Sequence, residues 1–159
     1  MDNRQTILAI SPGTSLLGFA VLRHGVLVDY GVKAYMWKWS KGKSLHIANS
    51  VKKLTEQYAP ETVVIKVADI ASPSKNVELI VAGIEEMAEK KGAKVFKCAL
   101  QDIKQACCNG EDTAEELYAT LMKQYPELSF IEKLGLNGYF YYGKMFEALG
   151  AIIYYLSEI

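Results

Sequence analysis

The chain has 159 residues, half of them apolar, which suffices for one substantial core and is too few for two ordinary domains. Eighteen basic residues cancel eighteen acidic ones, so the molecule as a whole has no strong field to draw it to nucleic acid. No apolar stretch reaches eighteen residues and Met1 to Gln5 lack a signal-peptide pattern, so the expectation is a cytoplasmic chain with no membrane partner, and Cys98, Cys107 and Cys108 suit neither a disulfide framework nor a zinc site.

The first apolar run, Thr6 to Ile10, predicts a buried strand that meets a turn at Ser11-Pro12-Gly13-Thr14. Leu17 to Leu22, Arg23-His24-Gly25 and Val26 to Tyr30, with extended residues to about Trp37, predict a hairpin and a third antiparallel strand. Ile47, Ala48, Val51, Leu54 and Tyr58 recur at helical spacing, which predicts a helix from about Ser44 to Tyr58 closed by Pro60. Val63 to Val67 predicts a short strand covered on both faces. A second helix is expected from about Asn76 to Lys91, with Ser74 as its cap and Gly92 at its left-handed end.

Lys94 to Cys98 predicts another strand and Gln101 to Cys107 a short helix stopped by Asn109-Gly110. Thr113 to Tyr125 predicts a helix begun by Asp112 or Thr113 and ended before Pro126. After a loop, Gly143 to about Ser157 predicts the last helix. This order implies one α/β domain spanning residues 1–159, with a mixed sheet and helices on both faces.

Charge is unevenly distributed along the chain. Residues 1–53 hold eight Lys or Arg against two Asp, and residues 54–159 hold ten against sixteen acids, so a DNA-facing surface is expected in the first third. The sharpest candidate there is Trp37-Lys38-Trp39-Ser40-Lys41-Gly42-Lys43, where cations alternate with rings that can stack on bases. A strand-edge cluster packing its Lys stems is an equal reading. The run Tyr139-Phe140-Tyr141-Tyr142 suits either a stacking surface or, preferably, hydrophobic cover for the last helix.

The segment from Ile7 to Val21, with Ile10-Ser11-Pro12-Gly13 closing a strand and Gly18 opening the next, resembles the start of the RuvC-type Holliday junction resolvases of the RNase H-like superfamily. Val95-Phe96-Lys97, Ile103-Lys104-Gln105, Thr113-Ala114-Glu115 and Glu147-Ala148-Leu149-Gly150-Ala151-Ile152 continue the resemblance, which spans about residues 6–156. It implies an RNase H-like fold with a five-stranded sheet. It also implies dimeric, metal-dependent cleavage of branched DNA by four carboxylates.

At the positions the resemblance assigns to those carboxylates stand Ser11, Lys66, Lys144 and Glu147. Two-metal chemistry needs clustered hard oxygen ligands and negative charge. Four carboxylates would carry −4, whereas these four residues carry +1. No cofactor and no metal are therefore expected; Mg²⁺ belongs only to the alternative of a divergent active nuclease. Lys66 and Lys144 stand where the ions would have been, with Glu147 as partner, and Lys144 and Glu147 have the i, i+3 spacing at which opposite charges meet. Two plainer readings stay open: Ser11 bonding within its turn, and Lys66 snorkelling to the sheet edge. Asp69, Asp102 and Glu111 lack the spacing for replacement ligands. In the stretch Asp69-Ile70-Ala71-Ser72-Pro73 an acid stands where the family carries an aromatic wedge.

The expected function is a catalytically silent RuvC-like domain that binds branched or structured DNA weakly, or a protein partner in recombination or repair. Its rivals are a divergent active junction endonuclease and a purely protein-interacting or structural domain. Candidate nucleic-acid contacts are Trp37, Lys38, Trp39, Lys41, Lys43 and Lys104. A homodimer is expected through the second helix. There Val77, Ile80, Val81, Ile84 and Met87 form the sheet-facing stripe, and Leu79, Ala82 and Gly83 leave a second side apolar. The alternative is that the segment from Glu127 to Tyr142 folds over that side.

Overall fold

The computed structural model describes residues 4–69, 73–108 and 113–159. Strands β1 (Thr6–Ser11), β2 (Leu16–Arg23) and β3 (Val26–Ala34) pair antiparallel in succession. Strands β4 (Thr62–Lys66) and β5 (Lys94–Cys98) join in parallel on the other side of β1, giving the order β3-β2-β1-β4-β5. The β2–β3 hairpin turns on His24 at φ 53° and Gly25 at φ 81°, the left-handed pair that matches a two-residue turn to the twist of its strands.

Helices cover both faces, as expected. On one face α1 (Lys41–Tyr58) and α2 (Lys75–Lys90) bring Ile47, Val51, Ile80 and Ile84 onto Leu8, Ile10, Val63 and Ile65. On the other lie α3 (Leu100–Cys107), α4 (Ala114–Gln124), α5 (Phe130–Lys133) and α6 (Gly135–Glu158), with Phe146, Leu149 and Ile152 of α6 against Ile7, Ala9, Ala20 and Val64. Successive strand residues point to opposite faces, so each buried strand feeds both layers. The three cysteines are free and buried. Burial pushes the Cys98 thiol up to about 12. Among the described residues no helix is long and apolar enough to cross a membrane.

Two boundaries and one placement differ from what the sequence predicts. Helix α1 begins at Lys41, because Ser40 Oγ accepts the Lys43 N–H at 3.0 Å and caps it; the apolar period, which starts at Ile47, does not register that turn. Helix α6 begins at Gly135, so the four-aromatic run is helical and the expected loop is not. The segment after Pro126 does not cover α2. Its anchors Leu128 and Ile131 join the α6 core, on the face of the sheet opposite α2. Asn109, Gly110, Glu111 and Asp112 lie outside the described residues.

Candidate functional site

Pleating decides which side chains meet. Ile7 and Ala9 face α6, and Ser11 is next in that series; Val64 faces α6, and Lys66 follows it. Ser11 pairs with Gly18 and Lys66 with Cys98, while Ile10 and Ile65 pair just before them. Gly18, Ser11, Lys66 and Cys98 thus form one row across the sheet, at the C-terminal ends of β1, β4 and β5. Helix α6 crosses this row in close approach: a Cβ on Gly18 would lie 2.1 Å from the Lys144 carbonyl carbon. A Cβ on Gly13 would lie 2.5 Å from Lys144 Cε, so the lysine stem rests on the Pro12–Gly13 turn.

At that crossing Ser11 Oγ donates to Glu147 Oε1 at 2.8 Å, and Lys66 Nζ lies 3.6 Å from the same oxygen. Ser11 is fully buried, and the Lys66 and Glu147 side chains are 11% and 17% exposed. Ser11 therefore bonds across the fold, and Lys66 is held in a pair. Glu147 takes its ion pair from β4, not from Lys144 as the i, i+3 spacing suggests, because the Lys144 stem is drawn over Gly13. Among the described residues Lys144 makes no hydrogen bond and no ion pair. Burial holds its ammonium below the usual lysine range; Glu147 opposes that shift, Lys66 adds to it, and Asp69 opposes it least.

Tyr118 of α4, absent from the sequence candidates, borders the same centre. Its ring stacks on Phe146 at 4.6 Å and on Tyr139 at 5.7 Å, and its hydroxyl lies 2.9 Å from where a Cβ on Gly143 would stand. Burial first, then the Glu147 charge, raises its pKa. Only a distinctive spacing could have flagged it in sequence, and it has none.

The donor set does not suit a divalent metal pair. It offers one carboxylate, already bonded to Ser11 and Lys66, and two ammonium groups. A dication about 4 Å from one ammonium would be repelled by about 8 kcal/mol at an effective dielectric of about 20. Among the described residues no three His, Cys, Asp or Glu side chains cluster to hold an ion. Asp102 caps α3 through the Ala99 N–H at 3.0 Å.

The Trp37 segment leaves the sheet at the same end. Leu16 pairs with Ala34, and the Tyr35 N–H bonds Ser15 O at 2.7 Å. Trp37 is half-exposed and packs edge-on against His46 at 5.1 Å; Trp39 is partly buried against the α1–α2 core. Lys38 and Lys41 are exposed. Lys43 is not available to a phosphate: it is 3% exposed and its Nζ donates to the Trp37 carbonyl at 2.6 Å. As the third residue of α1 it is turned inward, where it ties the preceding loop to the helix. Lys104 is half-buried on α3, beside Ile103, which seats against Gly150 of α6.

On α2, Leu79 is 58% exposed and Ala82 is exposed. Gly83 faces inward to Ala48 of α1, 3.9 Å from the position of its missing Cβ, and so serves the α1–α2 seam of this chain. Leu45 of α1, 66% exposed, shares a shallow depression with Leu79 and Trp39.

No protein-family model and no curated protein matches this chain. Solved structures do. Thermus thermophilus RuvC in complex with a Holliday junction substrate is similar at a TM-score of 0.69 and 18% identity, over 97% of this chain and 96% of that one. A second Thermus thermophilus RuvC structure is similar at 0.71 and 16%, over 96% of each chain. The yeast mitochondrial Holliday junction resolvase Ydc2 is similar at 0.52 and 9%, over 96% of this chain and 78% of that one. The chain has the RuvC-type, RNase H-like fold.

Proposed function

We propose that this protein is a nuclease-silent RuvC-like domain that binds branched or otherwise structured DNA. The observation that carries the reading is the centre where Ser11, Lys66, Lys144 and Glu147 converge with one carboxylate and two cations. Such a centre repels divalent ions and attracts a phosphodiester, the reverse of what hydrolysis by two metals requires. The fold likeness to a resolvase solved on a junction supports branched DNA as the ligand class. Lys38 and Lys41, exposed at the same end of the sheet, add positive charge to that end of the molecule.

The test is incubation of purified protein with a labelled four-way junction in Mg²⁺ or Mn²⁺, with binding followed by anisotropy across a salt series. Salt-sensitive binding without strand scission is expected. Cleavage that disappears in Glu147→Gln would overturn the silent reading. Absence of salt-dependent binding would favour the purely protein-interacting domain.

A further inference from the structure

Helix α6 crosses the row of strand ends at Lys144, and its earlier turns carry the four-aromatic run. There the run divides. Tyr139 stacks on Tyr118, and Tyr142 meets Phe130 edge-on at 5.7 Å; both pack against the core. Phe140, by contrast, is 83% exposed and Tyr141 is 40% exposed. Phe140 stands four residues before Lys144 and seven before Glu147, so all three share one face of the helix, with Phe140 just over one turn, roughly 6 Å, beyond the lysine.

The exposed ring of Phe140 offers a flat apolar face on which another ring can stack. Its neighbour along the helix face is the cationic centre, where Lys144 makes no hydrogen bond or ion pair among the described residues and Lys66 shares the Glu147 carboxylate with Ser11. Charge there selects an anion, and the ring selects a flat apolar face. A nucleotide supplies both, its phosphate and its base joined through one sugar. A base inside a continuous duplex has both faces covered by its neighbours, whereas an unpaired base offers a free face to the ring.

We propose that Phe140 is a base-stacking residue for an unpaired nucleotide, at a branch point or in a single strand, whose phosphate is held by Lys144. This rests on the DNA-binding reading above and adds the form of DNA recognised and the residue that recognises it.

The test measures anisotropy of a four-way junction, a single strand and a duplex of matched sequence with wild type, Phe140→Ala, Phe140→Leu, Phe140→Trp and Lys144→Ala, each checked by thermal melting. Loss of one stacked ring is expected to weaken junction and single-strand binding about tenfold in Phe140→Ala and Phe140→Leu alike. Duplex binding and the salt slope should be unchanged in both, and Phe140→Trp should bind as wild type. Lys144→Ala should reduce the salt slope by about one unit. Full affinity in Phe140→Leu would mean an apolar contact without stacking and would overturn the proposal. So would equal losses on duplex and junction. If wild type binds the junction and Phe140→Ala binds as tightly, this inference alone fails; if wild type binds none of the three DNAs, the DNA reading fails and takes this inference with it.

Discussion

Replacing Glu147 by Gln removes the carboxylate that pairs with Lys66 while leaving an acceptor for Ser11. Lys66 then stays 11% exposed without its ion-pair partner and with Lys144 nearby. At the observed 3.6 Å the lost attraction is about 4–5 kcal/mol at an effective dielectric of about 20. Solvent at the partly open edge and relaxation of the Lys66 stem reduce this to a net loss of about 2–3 kcal/mol, at or just below the range for breaking a buried pair. For a chain of this length that corresponds to a melting temperature about 5–10 °C lower. DNA affinity should move the other way, since the centre gains one unit of positive charge. Differential scanning fluorimetry and junction anisotropy on the same preparation separate the two effects. Adding Lys66→Met removes the stranded ammonium and should recover most of the stability. An unchanged melting temperature, or weaker DNA binding in the folded single variant, would refute the electrostatic account.

Three further outcomes are expected. Lys144 is more easily deprotonated in the folded chain than in the unfolded one, so the unfolded state binds more protons in the window just below the usual lysine pKa and stability rises with pH there. Lys144→Met should therefore be more stable than wild type at pH 7, and urea titrations at pH 7 and 10 should show that advantage shrinking. Gly18→Ala drives a methyl group into the α6 backbone at 2.1 Å and should cost about 3 kcal/mol or more, whereas Gly42→Ala, with only Ser40 Oγ at 3.6 Å, should be neutral or slightly stabilising in chemical denaturation. Leu45 and Leu79 together leave an apolar patch on the α1–α2 seam that a second copy would cover; light scattering should give a dimer for wild type and a folded monomer for Leu79→Lys, and a concentration-independent wild-type monomer would exclude that contact.

Local chemistry made much of the fold legible in the sequence. His24-Gly25 between two apolar runs specifies a hairpin, and Ser74 and Gly92 bracket α2 by capping and left-handed backbone. The two-residue period of β1 and β4 already places Ser11 and Lys66 on the faces of Ala9 and Val64. The start of α6 was not legible, since Leu134 offers no side-chain cap and the helix is held there by Tyr118, Leu128 and Ile131 from elsewhere in the chain. Tertiary structure alone decided which charges meet. Glu147 has a lysine three residues away in sequence, yet the close crossing at Gly18 and the bed at Gly13 turn that lysine aside and give the carboxylate to Lys66. The same holds for Lys43, whose charge in the sequence is indistinguishable from that of Lys41 until the first turn of α1 points it at the Trp37 carbonyl. Spacing along a chain fixes which face of an element a side chain occupies; the partner across the interface depends on how two elements approach, and here glycines at the crossing determined that.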